Sequence, residues 1–244
     1  MVNTVLITGA SRGIGARCAE VLAADGWQVA INYNKSEAKA KTLASKINAS
    51  GGKAFTVQAD VSSALEVRRM ASLTEAHFGT ITALVNNAGI AQQKLFTEIT
   101  EDDWDKMFDV NVKGMYLCAQ AVSRGMISEH KGKILNIGSI WGLCGGSCEV
   151  HYSAAKAAVC GFTKALAKEL APSGITVNCV APGVIDTEMN AALTQNDILQ
   201  LKNETPLGML GTTNDIASLV AFLLSEKAAF ITGQIISPNG GFVI

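Results

Sequence analysis

Residues Val5–Gly15 read VLITGASRGIG, and residues 16–26 continue as ARCAEVLAADG. Apolar and β-branched residues come first, then a turn holding Gly9, Gly13 and Gly15, then a run of helix formers. Strand, glycine loop and helix N-terminus in that order open a parallel sheet. Glycines there let the backbone fold back tightly and let an anionic group come close. The helix N-terminus offers unpaired N–H donors and a favourable dipole to a phosphate. Glycine turns after strands are common, so the setting carries this reading more than the GxxxGxG spacing does.

Outward from this unit, short apolar runs recur at Val29–Asn32, Ala54–Gln58, Ala83–Asn87, Lys133–Gly138, Thr176–Val180 and Gln234–Ser237. With Val5–Thr8 they predict about seven strands. Helical patterns lie between them. One enters through Ser63-Ala-Leu-Glu66, which fits a capping box; another runs from about Thr100 to Ala121, and another from about Tyr152 to Leu170. Near-continuous β-branched strands separated by helices predict an α/β fold with a parallel sheet covered on both faces. Right-handed crossovers make it a doubly wound, Rossmann-type sheet. Its ligand belongs beyond the carboxyl ends of the strands, where strand order reverses. Residues 1–244 read as a single domain, with no repeat or linker, and Pro172, Pro182, Pro206 and Pro238 fall at element boundaries.

Hydrophobic residues make up 48% of the 244 and charged residues 17%, enough for a large core. A net charge of −1 without a basic run points away from nucleic acid and membrane partners. The N-terminus lacks the pattern of a signal peptide, and no apolar run approaches bilayer length, so a cytoplasmic protein is expected. The six cysteines, Cys18, Cys118, Cys144, Cys148, Cys160 and Cys179, form no CxxC pair. They read as small core residues, and no metal is expected.

The second strand runs into Asn32-Tyr33-Asn34-Lys35, with no acid before Glu37. A carboxylate at that strand end would select NAD through the ribose 2′-hydroxyl. Its absence, with Arg12 and Lys35 available to a 2′-phosphate, favours NADP(H); the alternative is that both are solvated surface cations. Asn32 and Tyr33 fall at the same end.

The stretch His151–Val159, HYSAAKAAV, sets Tyr152 one helical turn before Lys156 among small apolar residues. A phenol titrates near about 10; bringing it to about 7 takes about 4 kcal/mol, which a nearby ammonium in a poorly solvated site can supply. Tyr152 then reads as a general acid tuned by Lys156. An interfacial tyrosine beside a snorkelling lysine is the competing reading. Ser139 follows a predicted strand end at the ligand rim and has no activating base, so it reads as a positioning group for a substrate oxygen. Asn111 is an amide inside a predicted helix, where its propensity is poor.

TGASRGIG, NNAG, a mid-helix Asn, a Ser ahead of YSAAK, and APG after the sixth strand together resemble the short-chain dehydrogenase/reductase family. The resemblance covers essentially the whole chain, down to ITGQIISPNGG. It implies an NAD(P)-dependent oxidoreductase, homotetrameric and metal-free, with Asn111, Ser139, Tyr152 and Lys156 as catalytic tetrad. It implies phosphate and ribose contacts at Gly9, Ser11, Arg12, Gly13, Ile14 and Gly15, and adenine contacts at Asp60 and Val61. Asn87, Ala88 and Gly89 match the segment under the adenosine ribose; Pro182, Gly183, Ile185 and Thr187 match the loop that orients the carboxamide.

Within the family the chain looks most like bacterial 3-oxoacyl-(acyl-carrier-protein) reductases, which implies NADPH-dependent ketone reduction in fatty acid synthesis. Those enzymes commonly dock the acidic carrier through basic residues near the positions of His130 and Ser173. Here that pair is weakened, with Lys131 and Lys133 available to compensate. SIWGLCGGSCEVHY also places Trp141, Cys148 and Glu149 beside the substrate. Glu149 is either a supporting or interface carboxylate, or a reader of a cationic substrate tail with Trp141 as aromatic wall. The latter pattern resembles reductases of the 5-aminopentanone group on elongation factor P. A non-catalytic dinucleotide-binding regulator is the third reading. Residues 186–211 read as a substrate lid or as extra packed helices.

Overall fold

The computed structural model describes residues 3–188 and 194–244. Its strands are β1 (Thr4–Ile7), β2 (Gln28–Tyr33), β3 (Lys53–Gln58), β4 (Ala83–Asn86), β5 (Gly132–Ile137), β6 (Ile175–Val180) and β7 (Ile235–Ile236). All pair in parallel in the order β3-β2-β1-β4-β5-β6-β7. Order reverses between β1 and β4, so the predicted ligand crevice opens there.

The helices are α1 (Gly13–Ala24), α2 (Glu37–Ala49), α3 (Ala64–Phe78), α4 (Glu101–Phe108), α5 (Gly114–Ser128), α6 (Trp141–Cys144), α7 (Val150–Leu170), α8 (Gln195–Glu204) and α9 (Thr213–Leu224). Strand alternation explains the layers. Val5 and Ile7 join one core with α1, α2 and α9, while Leu6 joins the other with α3, α5 and α7. All three are fully buried, each contributing about 1.5–3 kcal/mol by leaving water. This is why central strands read as unbroken apolar runs.

Two local expectations need correcting, at α4–α5 and at α3. The helix expected from Thr100 to Ala121 is α4 and α5 joined by a π-helical turn, Asp109–Lys113. Asn111 sits in that turn, with its side-chain amide on Met107 O at 3.0 Å. At α3, Ser63 Oγ does accept the Glu66 N–H, at 3.4 Å. The Glu66 carboxylate, however, accepts the Asp60 N–H at 2.8 Å instead of returning to Ser63, so it fastens the end of β3. Within the expected lid, α8 is one capped helix; residues 189–193 of that segment lie outside the described residues.

Candidate active site

The glycine loop after β1 is shaped by two asparagines. Asn32, buried in β2, accepts the Gly9 N–H at 3.1 Å on its side chain and the Ala10 N–H at 2.8 Å on its carbonyl. Its amide donates to Ala59 O at 3.1 Å. Asn87 donates to the carbonyls of Thr8 and Gly9 at 2.9 and 3.0 Å. Gly9 has φ +61°, and a Cβ there would lie 2.8 Å from Ala88 Cα. Asn32, Asn87 and Ala88 thus act on the loop's backbone.

The first turn of α1 has Arg12 at its N-cap in extended backbone, without a side-chain acceptor. Those N–H groups, and a glycine surface free of Cβ atoms, fit a dinucleotide phosphate. Ser11 is half-buried and Arg12 exposed. Arg12 lies 3.6 Å from the Glu188 carboxylate, which Lys39 also holds at 2.8 Å. Lys35 is exposed beyond β2. Burial would raise the Asp60 carboxyl, but Ser62, Asn34 and the charge of Lys35 hold it below its ordinary value. Val61 is buried under Gly114.

Beyond β5, Ser139 receives the Trp141 N–H at 3.2 Å and lies on the same cleft as the Tyr152 phenol, whose pKa its hydroxyl lowers. Tyr152 and Lys156 both lie on the buried face of α7. A Cβ at Gly142 would meet the Lys156 carbonyl carbon at 2.6 Å, so α6 and α7 meet backbone to backbone. Lys156 Nζ donates to Ile137 O at 2.8 Å and stands 5.6 Å from the centre of the Tyr152 ring. Asn111 donates to Ile90 O and Met107 O, both at 3.0 Å, and accepts the Ile90 N–H at 3.3 Å. A Cβ on Gly89 would sit 2.7 Å from Asn111 Oδ1 and 3.6 Å from Lys156 Nζ. The four tetrad residues, with Gly89, thus line one cleft beyond the carboxyl ends of the strands.

The expected tuning of the phenol by Lys156 is not what this geometry gives. Burial pushes Tyr152 up to about 12, against a smaller lowering by the Ser139 hydrogen bond. Burial also brings Lys156 down to about 8. The cause is desolvation, which outweighs the neighbour while the ammonium faces Ile137. The phenol is thus held protonated near neutral pH, the form a general acid needs.

A cleft of about 340 Å³ spans these groups. Ile14 borders it from the glycine loop, and Pro182, Gly183, Ile185 and Thr187 from the loop after β6. Trp141 and Glu149 form its outer wall, and Phe242 meets the indole edge-on at 5.8 Å between ring centres. Cys148 does not line the cleft; it has φ +60°, and its carbonyl accepts the Lys94 N–H at 2.8 Å. Burial raises the Glu149 carboxyl, and Gln93 Nε2 donates to it at 3.3 Å. Residues 90–93 form the facing wall. Sequence reasoning did not single them out, although the rule that sites follow strand ends pointed at the chain after β4.

Lys133 cannot supply an exposed charge. It is buried, with Nζ on Ser225 O at 3.1 Å. Among the described residues no cluster suits a metal ion, and no helix is long and apolar enough to cross a membrane.

A glycine loop under a helix N-terminus, beside a serine, tyrosine and lysine at the switch point, defines a nicotinamide-dinucleotide oxidoreductase. A family profile described as enoyl-(acyl carrier protein) reductase matches residues 9–243, and the chain belongs to the short-chain dehydrogenase/reductase family. It is 44% identical over 241 residues to the 3-oxoacyl-[acyl-carrier-protein] reductase FabG of Staphylococcus aureus, covering 99% of this chain and 98% of that one. It is 43% identical over 243 residues to the Bacillus subtilis protein described as uncharacterized oxidoreductase YmfI, covering 99% of each. A doubly substituted mutant of a Serratia marcescens short-chain dehydrogenase/reductase superposes with a TM-score of 0.93 at 36% identity, covering 98% of this chain and 97% of that one.

Proposed function

We propose that the protein reduces a ketone to a secondary alcohol with NADPH, in the manner of a 3-oxoacyl-(acyl-carrier-protein) reductase. The placing of Ser139, a protonated Tyr152 and Lys156 on one cleft beyond the strand ends carries this reading. Bound NADPH supplies a hydride to the carbonyl carbon. Ser139 holds the carbonyl oxygen, and Tyr152 gives that oxygen its phenolic proton as charge develops. Lys156 borders a second cavity of about 10 Å³, room for one water. Asn86 and Asn111 border it too, and Asn86 Oδ1 is buried without a partner. A water there would bond Asn86 and lead protons past Lys156 to Tyr152. Arg12 and Lys39 would meet the 2′-phosphate that separates NADPH from NADH. Near-full-length similarity to a named 3-oxoacyl-carrier reductase supports the thioester substrate; a cytoplasmic homotetramer belongs to the same reading.

A second reading has its own observation. Glu149 is the one carboxylate on the main cleft among the described residues; it is partly desolvated, and the group that donates to it is the neutral Gln93 amide. A partly desolvated charge without a counter-ion is a place where a cationic ligand group would be favoured. With Lys133 withdrawn from the surface, a ketone carrying an amine, such as the 5-aminopentanone group on elongation factor P, suits this wall. The test is NADPH oxidation with three substrates: a carrier-linked 3-ketoacyl thioester, a neutral short ketone and an amino ketone. Tyr152→Phe should abolish turnover of whichever is reduced. NADPH binding without turnover of any would instead favour a regulator.

A further inference from the structure

His151 precedes the candidate acid, is fully buried, and lines neither wall of the cleft. Its Nε2 lies 2.9 Å from Gln92 Oε1. Gln92 Nε2 in turn donates to Asp103 Oδ1 at 2.9 Å. Asp103 Oδ2 takes Lys94 Nζ at 2.6 Å and the Thr100 N–H at 3.1 Å. These bonds hold the Asp103 carboxyl far below its ordinary value. An ionised carboxylate accepts only, so the Gln92 amide must turn its nitrogen to Asp103 and its oxygen to His151. His151 must then donate from Nε2. Its Nδ1 is left bare, and Nδ1 is a buried atom without a partner.

The bond is one of three rungs between two stretches of chain. Lys94 N–H donates to Cys148 O at 2.8 Å, and Gln93 to Glu149 at 3.3 Å. With Gln92 and His151, positions 92–94 run against 148–151 in opposite order. One stretch carries the cleft wall after β4; the other leads into α7 and Tyr152.

We propose that His151 is a positioning residue: a neutral Nε2–H imidazole that clamps the 90–94 wall to the start of α7 and so sets the width of the substrate cleft. Burial lowers its pKa from the ordinary imidazole value; Asp103 on α4 pulls the other way, and Lys94 adds to the lowering. A second proton would have to enter at Nδ1, where nothing accepts it. This role rests on the reductase reading only for its kinetic readout.

The test uses the full chain. His151→Leu and Gln92→Ala should each raise the ketone KM about tenfold, the scale of one lost buried hydrogen bond. Both should leave NADPH affinity unchanged. His151→Gln places an amide donor where Nε2 was and should restore KM. The double variant should be no worse than either single one. Imidazole nitrogen NMR should show an Nε2–H tautomer that does not titrate between about pH 5 and 8. A His151→Gln variant as impaired as His151→Leu, additive effects in the double variant, or a titrating ring would each overturn the proposal. If His151→Leu does not fold, Gln92→Ala carries the kinetic arm, and an unchanged KM there overturns it. If the wild type reduces no ketone, the reductase reading fails, while the NMR spectrum still decides for or against the clamp.

Discussion

Lys156 Nζ on α7 donates to the Ile137 carbonyl at the carboxyl end of β5, 2.8 Å away. The bond fixes the ammonium beneath the cleft, at a cost in desolvation. Its pKa falls from 10.5 to about 8. Between those values the folded chain has lost the proton that the unfolded chain keeps, so stability rises with pH across that window. Below about 8 the whole penalty is present. Lys156→Met should therefore remove the rise in melting temperature from pH 8 to 10, stabilise the protein at neutral pH, and abolish turnover. Thermal melts across pH with an activity assay check this. A Met variant less stable than wild type at pH 7 would show that the Ile137 bond outweighs desolvation.

Gly142 joins the serine to the tyrosine. With a Cβ position 2.6 Å from the Lys156 carbonyl carbon, Gly142→Ala must push α6 off α7. Ser139, held by the N–H of the first residue of α6, moves with it. We expect kcat to fall by about tenfold or more, since catalytic geometry tolerates little displacement. If the glycine loop holds the dinucleotide as proposed, cofactor affinity should survive, as a fluorescence titration with NADPH would show.

Much of this was legible in the sequence for a physical reason. Central strands buried on both faces must be written in apolar residues, so β1, β4, β5 and β6 announced themselves, as did the rule that puts Ser139 at a strand end. Tyr152 and Lys156 were readable because helical spacing puts i and i+4 on one face. What local pattern could not show was the result of packing. The side chain of Asn111, in the π turn, is bonded to the backbone of Ile90, which is distant in sequence. The pKa of Tyr152 depends on how much protein covers it; read from the sequence, poor solvation strengthens the pull of the ammonium, whereas here burial acts first against the phenolate. The pairing of residues 92–94 with 148–151 is likewise tertiary and leaves no periodic signal.

Glu188 holds both Arg12 and Lys39 on the rim of the glycine loop. A 2′-phosphate would meet the same two cations and must displace that carboxylate. Glu188→Gln should thus tighten NADPH by about three- to tenfold and leave NADH unchanged. The pairs are exposed, so the gain should shrink as salt rises. Titration of both cofactors at low and high ionic strength checks this; equal effects on NADPH and NADH would remove Arg12 and Lys39 from 2′-phosphate recognition.

Glu149 supplies a prediction in which stability and specificity move in opposite directions. Burial raises its carboxyl above the ordinary value. A raised carboxyl means that the folded chain keeps its proton longer than the unfolded chain, so stability is lost as pH climbs through that range. At pH 7 the ionised group is a net burden. Glu149→Gln keeps the shape and the Gln93 neighbour while removing the charge, and should raise the melting temperature at pH 7, as thermal melts would show. At pH 4, where wild-type Glu149 is protonated, the gain should vanish. If the wall reads an ammonium, the same substitution should cut kcat/KM for an amino ketone by about tenfold or more, with little effect on a 3-ketoacyl thioester. Equal losses on both substrates would make Glu149 a wall residue with no part in choosing between them.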